Sequence, residues 1–401
     1  MVLLRLLCAV FLTACAAACA DDSDCLLLGS CEGGVCHCRQ GFTGEECGQL
    51  DFGAAPAHLG YHNQSASTWG GLPLKVRGEW HLFVSMITGD CPLGAFNNNS
   101  EIAHLVSAGG GGWEGPYELQ PTTVVPSFAH NAAPQLLPDG SIGVWFIGYD
   151  GAVDAMSCPA GVPPADFVWP DWSGKQIGLA LSASGEPSGP WNVTFLFDRP
   201  RLPADWWHWD CGATNPSAVV AADGSVTMLY RGTMCTHCDG CPAHPANATE
   251  RLGIATAPTV AGPYARAAAQ IDLGENAEDP FYWRGANGSH HLIAHGGPCP
   301  GRGGGKWCGV VASSADGTSW RTAKAAAYGP NVTLTNGTVI TLYARQRPQL
   351  LFESQPEPAG AGAQGERVLL GLVNGAQLGG GSTFMQNPSF TLMQPVAQKA
   401  A

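Results

Sequence analysis

The chain of 401 residues has little charge, few basic residues and no long apolar segment. Only 13% of its residues are charged, and 32 acidic against 19 basic residues give a formal net charge of −13. Such a surface argues against nucleic acids and anionic membranes as partners, because both attract basic patches. No stretch reaches the roughly 18 uninterrupted apolar residues of a membrane-spanning helix. Heptads and a helical apolar period are also missing, so we predict an all-β protein.

Short polar segments that run into a proline recur along the chain, and an apolar strand follows each of them. In three copies the strand ends in Asp-Gly or Asn-Gly and a second apolar strand returns, which is the strongest short-range hairpin signal. Another strand pair then follows, and self-similarity at a roughly constant period indicates a repeat architecture. Four short strands in each copy predict a five-bladed β-propeller with the polar segments around a central channel. The five segments are Thr68–Pro73 (the weakest), His130–Pro134, Thr214–Pro216, Glu278–Pro280 and Arg345–Pro348.

Residues 1–18 have the features of a secretory signal peptide, because Arg5 precedes a short apolar run and small residues follow it. Cleavage after Ala18 removes two of the sixteen cysteines and leaves fourteen, whereas cleavage after Ala20 also removes Cys19 and leaves thirteen. An odd cysteine is a liability in a secreted protein, so we expect cleavage after Ala18, with Ala20 as the alternative. The mature protein is therefore expected outside the cell.

Seven Asn-x-Ser/Thr sequons predict a glycosylated protein, which agrees with secretion. Nothing in the sequence indicates an oligomer, so a monomer is expected. The sequons begin at Asn63, Asn98, Asn192, Asn247, Asn287, Asn331 and Asn336.

The later cysteines are expected to form disulfides, since the predicted compartment is oxidising. Cys299 and Cys308 flank a glycine-rich loop and are predicted to pair. Three further cysteines lie at a spacing that also suits zinc, and an oxidising compartment favours disulfides at such a spacing. The partners of these three, Cys235, Cys238 and Cys241, and of Cys91, Cys158 and Cys211 stay open.

Cysteines crowd the segment that follows the signal peptide. The run Cys36-x-Cys38-x8-Cys47, with Gly41 and Gly44 in its last loop, resembles an EGF-like domain, and the resemblance covers residues 19–48. About 30 residues cannot bury a core, so disulfides must hold such a module together. Both a spacer role and an adhesive role are open for it. The resemblance implies the bonds Cys25–Cys36 and Cys38–Cys47 and, when Cys19 survives processing, Cys19–Cys31.

Two signals recur in the predicted blades. One is the polar segment with its proline and hairpin, and the other is Gly-x-Ala-x-Ser followed by Gly-Pro-Trp/Tyr, as in Gly178–Ser182 and Gly189–Trp191. Together they resemble, over residues 55–396, five-bladed glycoside hydrolases of the family 43 type; residues 397–401 are a tail. The resemblance implies an Asp base in blade one, a second Asp in blade two and a Glu acid in blade three, all at the channel mouth.

The chain departs from this triad. The matching positions carry Thr68 and Trp69 in blade one, Asn131 in blade two and Asn215 in blade three. Glycoside hydrolysis uses one neutral carboxyl group to protonate the leaving oxygen and one ionised group to activate water or to attack. An amide cannot do either, so the usual triad is not matched.

Carboxylates occur in only one polar segment, Glu278-Asp279-Pro280. We therefore predict Asp279 as the leading catalytic carboxylate, with Glu278 or His130 as its partner. Neighbouring side chains of a strand point to opposite faces, which predicts that Glu278 and Asp279 do not both face the channel. Imidazole titrates near neutral pH, so His130 and His62 are candidate acids or bases.

Further polar and aromatic residues are predicted to bind the substrate. Arg345 and Arg347 suit a carboxylate or sulfate, which points to an acidic polysaccharide. Asp210 follows a tryptophan-rich run, Trp206–Trp209, and indole offers a flat face to a sugar. The predicted substrate-binding residues are Asn131, Asn215, Arg345, Arg347, Trp209 and Asp210.

Structural roles explain the same residues: Asp279 and Arg347 can form a buried ion pair, and His130 can be a hydrogen-bonded core residue. Two hypotheses follow. One is a secreted glycoside hydrolase that acts on a polysaccharide, acidic or neutral, at the channel mouth. The other is a non-catalytic glycan-binding or adhesion protein with a degenerate site. Two carboxyl groups about 5 to 10 Å apart across the mouth favour the first. The sequence indicates no cofactor and leaves a structural calcium ion in the channel open.

Overall fold

A computed structural model shows the architecture of the chain. Residues 1–18, which carry the predicted signal peptide, and residues 399–401 lie outside its description. Among the described residues, no helix is long and apolar enough to cross a membrane. The structure describes residues 19–63, 65–126, 128–149, 151, 153–159, 175–197, 210, 212–233, 251–273, 277–296, 308–353, 367–379 and 388–398.

The N-terminal module contains two antiparallel strand pairs, β1 (Gly29–Glu32) with β2 (Val35–Cys38) and β3 (Phe42–Thr43) with β4 (Gln49–Leu50). Three disulfides hold it together, as so small a segment requires. They are the three pairs that the EGF-like resemblance implies: Cys19–Cys31, Cys25–Cys36 and Cys38–Cys47.

Five four-stranded antiparallel sheets follow, which confirms the predicted all-β, five-bladed propeller. Strand β5 (Gly60–Tyr61) precedes blade one and belongs to the last blade. Blade one consists of β6 (Ser67–Val76), β7 (Glu79–Ile87), β8 (Ser100–Gly112) and β9 (Gly115–Val125), with a 3₁₀ turn (Leu93–Ala95) and a one-turn helix α1 (Phe96–Asn99) between β7 and β8.

The other blades repeat this order of strands. Blade two has β10 (Ala129–Leu136), β11 (Ile142–Tyr149), β12 (Lys175–Ser182) and β13 (Asn192–Phe195); blade three has β14 (Gly212–Val220), β15 (Val226–Thr233), β16 (Arg251–Ala257) and β17 (Ala265–Arg266). Blade four has β18 (Ala277–Arg284), β19 (His290–Gly296), β20 (Gly309–Ser314) and β21 (Arg321–Thr322), and a hairpin of β22 (Asn331–Thr333) and β23 (Val339–Thr341) follows. Blade five has β24 (Ala344–Phe352), β25 (Leu369–Gln377), β26 (Phe390–Pro395) and β5.

Apolar side chains between neighbouring blades form the core. Phe83 of blade one and Phe146 of blade two share one buried cluster, and Trp145 of blade two and Tyr230 of blade three share the next. Burial of such side chains is the main stabilising contribution, and aromatic side chains bury the largest area. Each blade is therefore fixed by the two blades beside it.

The N-terminal module packs on blades four and five. Phe42 stacks on Trp283 with ring centroids 6.4 Å apart, and both belong to a buried cluster that also contains module cysteines. Arg321 pairs with Asp24 and Glu46 of the module. The shared apolar cluster and these ion pairs therefore dock the module against the propeller.

The inner strand of every blade contains a two-residue bulge, because its pairing register skips two positions there. The first skipped residue always has a left-handed backbone, with φ between 50° and 61°. Asparagine, aspartate and glycine adopt this conformation most readily, and four of the five residues are of these types. They are Gly70, Asn131, Asn215, Asp279 and Arg347. Blade one therefore matches the other blades at Gly70, and the predicted match at Thr68 and Trp69 was wrong by one or two residues.

The inner strands all begin at the same end of the propeller, which we name the loop end. At this end the second strand of each blade finishes and the third begins, as the partners His130, Ile147 and Ile177 show. The disulfide Cys91–Cys158 lies here and joins the connections that follow β7 and β11. The bulges follow within a few residues of the start of each inner strand, so they lie near this end.

Candidate functional site

The five left-handed residues converge on the axis of the propeller and form what we name the channel floor (Gly70, Asn131, Asn215, Asp279 and Arg347). Asn215 Nδ2 donates to Asp279 Oδ1 at 2.7 Å, and Asn131 Nδ2 donates to Asn215 Oδ1 at 3.0 Å. These two bonds join residues of blades two, three and four, so the bulges bring polar side chains of different blades into contact. The floor is thus a buried polar network.

Arg347 closes this floor. Its guanidinium donates to the carbonyl oxygens of Asn131 at 3.0 Å and Pro216 at 3.1 Å, and it lies 3.6 Å from Asp279 Oδ1. Its side chain also passes close to Gly70, where a Cβ atom would lie 2.7 Å from Arg347 Cγ. Arg347 and Asp279 are only 1% and 3% exposed. The predicted ion pair between blades four and five is therefore present.

Glu278 lies beside the floor and is more exposed, with 27% of its side-chain surface accessible. Its carboxylate pairs with Arg231, and His295 Nδ1 lies 3.8 Å from its Oε2. We name these three residues the mouth cluster (Arg231, Glu278 and His295). Burial raises the pKa of Glu278, but the charge of Arg231 and the contact with His295 outweigh this and lower the pKa to about 2. Glu278 is therefore ionised at any physiological pH.

Glu278 and Asp279 lie on the same side of their strand. Asn215 Nδ2 contacts both carboxylates, at 2.7 Å for Asp279 and 3.5 Å for Glu278. The structure thus differs from the prediction that only one of them faces the channel, because the bulge at Asp279 breaks the alternation of side chains. Burial and the charge of Glu278 raise the pKa of Asp279, so the two neighbouring carboxyl groups shift in opposite directions.

Metal-ligating groups also meet here, since ligand atoms of Glu278, Asp279 and His295 lie within 4.8 Å of one another. However, the guanidinium groups of Arg231 and Arg347 already balance the two carboxylates. A divalent cation would have to displace or repel both arginines, so this set of residues does not fit one. These three residues are therefore not assigned to the structural calcium ion that the sequence leaves open in the channel.

His130 lies in a separate buried group at the loop end. Its Nδ1 is 2.7 Å from Ser100 Oγ, and its ring centroid is 4.7 Å from that of Phe96. Burial and the positive charges of Lys175 and Arg347 hold its pKa well below the ordinary value. His130 is therefore neutral at neutral pH, and its position matches the predicted structural role more closely than that of a proton donor.

Lys175 lies next to His130 and was not predicted. Its ammonium group bonds to Asn97 Oδ1 and lies 5.0 Å and 4.9 Å from the ring centroids of Phe96 and Phe128. Burial and the charge of Arg231 lower its pKa to about 6. A single lysine ahead of an apolar strand carries no functional signal in the sequence, and only the register of β12 places it at the loop end.

The remaining predicted substrate residues lie elsewhere or are not described. Arg345 is buried between the rings of Phe52 and Tyr328, each 4.9 Å from its guanidinium carbon, and its Nε donates to Asn374. Asp210 accepts a hydrogen bond from Tyr230 at 2.7 Å and pairs with Arg266 at 3.3 Å. Neither side chain belongs to the floor or the mouth cluster. His62 is exposed and its ring packs on Phe390. Trp206, Trp207 and Trp209 lie outside the described residues.

Four predicted sequons have an exposed asparagine, namely Asn192, Asn287, Asn331 and Asn336. Asn63 and Asn98 are half-buried, and Asn98 Nδ2 donates to the carbonyl oxygen of Asp154 at 3.0 Å. Cys308 is disulfide-bonded. Its predicted partner Cys299, the sequon at Asn247, and Cys211, Cys235, Cys238 and Cys241 lie outside the described residues.

Solved structures of similar fold include glycoside hydrolases. Zg3597, a family 117 glycoside hydrolase of the marine bacterium Zobellia galactanivorans, matches with a TM-score of 0.53 at 10% identity, over 87% of this chain and 90% of that chain. An α-L-arabinofuranosidase from Lactobacillus brevis matches with a TM-score of 0.50 at 11% identity, over 85% and 94% of the two chains. No protein-family model and no curated protein matches the sequence. At these identities the likeness shows the fold, so the chain has a glycoside hydrolase-like propeller, as the sequence resemblance predicted.

Proposed function

We propose that this protein is secreted and that it binds a glycan at the loop end of the propeller. The observation that carries the proposal is the mouth cluster, in which a partly exposed, ionised Glu278 is held by Arg231 and His295 above a closed floor. Charged side chains of this kind form strong hydrogen bonds with hydroxyl groups. The fold shared with glycoside hydrolases supports a sugar as the ligand, and the signal-like residues 1–18 and the disulfides support secretion.

In this proposal the floor residues are structural. Asp279 is buried, accepts hydrogen bonds from Asn215 and from the backbone N–H of Arg347, and has the Arg347 guanidinium beside it. A sugar cannot reach a carboxylate that is covered and already bonded in this way. Glu278 therefore replaces Asp279 as the leading carboxylate. Asn215 contacts Glu278 directly, and Asn131 and Arg347 hold the floor beside it.

A second candidate function is hydrolysis of the bound glycan, and the low pKa of Glu278 favours it. An ionised carboxylate can activate water or attack the anomeric carbon. Known two-carboxylate mechanisms place the partners about 5 to 9.5 Å apart on either side of the bond. Glu278 and Asp279 instead lie side by side on consecutive residues, with ligand atoms within 4.8 Å. Hydrolysis would therefore require a proton donor other than Asp279.

One experiment tests both functions. The purified mature protein is titrated calorimetrically with neutral and acidic oligosaccharides, and release of reducing sugar is followed in parallel. Glu278→Gln should weaken binding about tenfold or more, because it removes a charge-assisted hydrogen bond. The control is Asp223→Asn, an exposed residue on the β14–β15 hairpin at the opposite end.

The outcomes separate the alternatives. Binding that weakens in Glu278→Gln and not in Asp223→Asn supports the mouth cluster as the site. Turnover by the wild type that disappears in Glu278→Gln would establish the hydrolase. Absence of binding to every oligosaccharide overturns the proposed function, and binding that Glu278→Gln leaves unchanged moves the site elsewhere.

A further inference from the structure

Six of the seven sequons lie in the described part of the chain, and their asparagine side chains differ in which amide atom contacts the protein. An N-linked glycan is bulky and is attached through Nδ2, whereas Oδ1 remains a hydrogen-bond acceptor after the attachment. A folded protein can therefore carry a glycan only where Nδ2 faces the solvent. The hydrogen bonds of each asparagine show which sequons meet this condition.

In two sequons the asparagine bonds through Oδ1 to the last residue of its own sequon. Asn287 Oδ1 accepts hydrogen bonds from the hydroxyl of Ser289 at 2.6 Å and from its backbone N–H at 3.1 Å. Asn336 Oδ1 accepts a hydrogen bond from the backbone N–H of Thr338 at 3.0 Å. Both asparagines are exposed, so a sugar can be added at Nδ2 without loss of these bonds.

Two further asparagines also leave Nδ2 to the solvent. Asn331 is exposed, and its Oδ1 accepts a hydrogen bond from the hydroxyl of Thr341 on the facing strand at 2.9 Å. Asn192 is the first residue of β13, the outermost strand of blade two, and both Asn192 and Val193 are exposed. A glycan there would also cover an open sheet edge, which otherwise favours pairing with other chains.

The amide of Asn98 faces the protein instead. Its Nδ2 donates to the carbonyl oxygen of Asp154 at 3.0 Å, and its Oδ1 is buried. The neighbouring Asn99 donates to the carbonyl oxygen of Met156 at 2.7 Å and accepts a hydrogen bond from its backbone N–H at 3.1 Å. These bonds fix α1 to the connection that follows β11, so a sugar on Asn98 would push the two apart.

The hydroxyl of the Asn98 sequon is also inside the protein. Ser100 is 0% exposed, and its Oγ lies 2.7 Å from His130 Nδ1. The amide of Asn63 is likewise engaged at both atoms: Nδ2 donates to the hydroxyl of Tyr61 at 3.2 Å, and Oδ1 accepts the backbone N–H two residues later at 2.8 Å. Neither asparagine therefore presents Nδ2 to the solvent.

The two engaged asparagines lie at the loop end. Asn98 belongs to α1, which lies between β7 and β8, and Asn63 follows β5, which pairs with the start of β26. Asn192 and Asn287 lie at the opposite end, on the β12–β13 and β18–β19 hairpins. The sequons at the two ends of the propeller thus differ in the state of their amides.

The hairpin of β22 and β23, which carries Asn331 and Asn336, packs against the outer strands of blade five. Val332 of this hairpin shares a buried cluster with Leu392 of β26 and with Leu59. The mouth cluster instead comes from β15, β18 and β19 of blades three and four. Glycans on this hairpin would therefore extend from a different part of the propeller than the mouth cluster.

We propose that the secreted protein is glycosylated at the four sequons whose Nδ2 faces the solvent and not at the two whose amide is engaged, which keeps the loop end open to a ligand. This inference rests on the proposed secretion. Folding makes the selection, because a chain that is modified at Asn98 loses the bond to Asp154 and cannot pack α1. The four acceptors are Asn192, Asn287, Asn331 and Asn336, and the two excluded sites are Asn63 and Asn98.

The test maps site occupancy in the full chain, expressed with its own residues 1–18 in a eukaryotic host that secretes glycoproteins. Medium and cell extract are collected separately. Peptide N-glycosidase in heavy-oxygen water converts each glycosylated asparagine into a labelled aspartate, which mass spectrometry of the peptides locates. Asn287→Gln and Asn98→Gln form a matched pair, because both sequons end in serine. The mobility of both variants on a gel, before and after deglycosylation, gives an independent count of glycans.

We expect the label at the four acceptors and unlabelled Asn63 and Asn98 in the protein from the medium. Asn287→Gln should lose the mass of one glycan. Asn98→Gln should lose none and should have a lower melting temperature, because the hydrogen bond to Asp154 is disturbed. Should Asn98→Gln fail to fold, the map of the wild type decides, since it needs no substitution.

The other outcomes separate the two proposals. Label at Asn98 or Asn63 in folded protein from the medium overturns the open loop end. Protein in the medium without label at the four acceptors overturns the glycan map and leaves secretion in place. Protein that stays in the cell with the expected labels contradicts secretion alone, and unlabelled protein in the cell overturns both.

Discussion

The Asp279 carboxylate accepts a hydrogen bond from the backbone N–H of Arg347 at 3.2 Å and lies 3.6 Å from the guanidinium of the same residue. Arg347 then reaches carbonyl oxygens of blades two and three. A single side chain therefore ties four of the five blades together, because Asp279 belongs to blade four and Arg347 to blade five. The stability of the ring should depend on this pair more than on any exposed ion pair.

Asp279→Ala should lower the free energy of unfolding by about 3 to 5 kcal/mol, because it leaves the Arg347 cation buried without its carboxylate. The matched control is Asp272→Ala, since Asp272 is exposed and lies 3.9 Å from Arg251. An exposed pair contributes about 0 to 1 kcal/mol. Chemical denaturation of both variants provides the measurement, and similar losses in the two would contradict the central role of Asp279.

Gly70→Ala should destabilise the protein more than Gly78→Ala. Both glycines have a left-handed backbone, with φ of 61° and 91°, so each alanine is strained by about 1 to 2 kcal/mol. Only at Gly70 would the new Cβ also meet the Arg347 side chain, at 2.7 Å, whereas nothing lies within 4 Å at Gly78. The melting temperature of Gly70→Ala should therefore be clearly lower than that of Gly78→Ala. Equal melting temperatures would show that Arg347 moves aside without an energetic cost.

Lys175 should make the stability of the protein rise with pH. Its pKa is about 6 in the folded chain and 10.5 in the reference state, so between these values the unfolded chain binds a proton that the folded chain does not. Stability increases with pH wherever the unfolded state binds more protons. The unfolding free energy of the wild type should increase relative to that of Lys175→Met from pH 6 to pH 9. The unfolding free energy of the control Lys75→Met, which replaces an exposed lysine on blade one, should change with pH in the same way as that of the wild type. A constant difference over this range would mean that Lys175 titrates normally.

Gly48→Val should loosen the N-terminal module from blade four. A Cβ atom at Gly48 would lie 2.4 Å from the Ala323 Cβ atom, and overpacking of this kind costs about 1 to 3 kcal/mol. Gly112→Val is the control, because nothing lies within 4 Å of a Cβ atom there. Limited proteolysis of the segment after β4 reports the docking, and equal cleavage of the two variants would argue that the module does not depend on this contact.

Much of the fold was readable from the sequence because its signals are local. Asp139-Gly140 and Asp223-Gly224 mark hairpins whose turn conformation suits these residue types, and the recurring segments mark the blades. The bulges were not predicted, because the residue before a proline favours an extended backbone. Asparagine and aspartate nevertheless adopt a left-handed backbone more readily than most residues, whereas an arginine such as Arg347 rarely does so.

The candidate site was less predictable, because its partners come from distant strands. Glu278 contacts Arg231, which is 47 positions away in the sequence, because blade three packs against blade four. Lys175 meets Asn97 across 78 positions. Such contacts depend on strand register and on how blades stack, and no residue pattern within one segment encodes them.

Strand β5, which follows the module, pairs with β26 at the other end of the chain, with Tyr61 opposite Thr391. The last blade is thus assembled from both termini. A ribosome must release nearly the whole polypeptide before this contact can form, and until then the earlier blades have an open edge that can pair with other chains. Folding of this protein therefore depends on keeping an incomplete ring in solution until its final strand arrives.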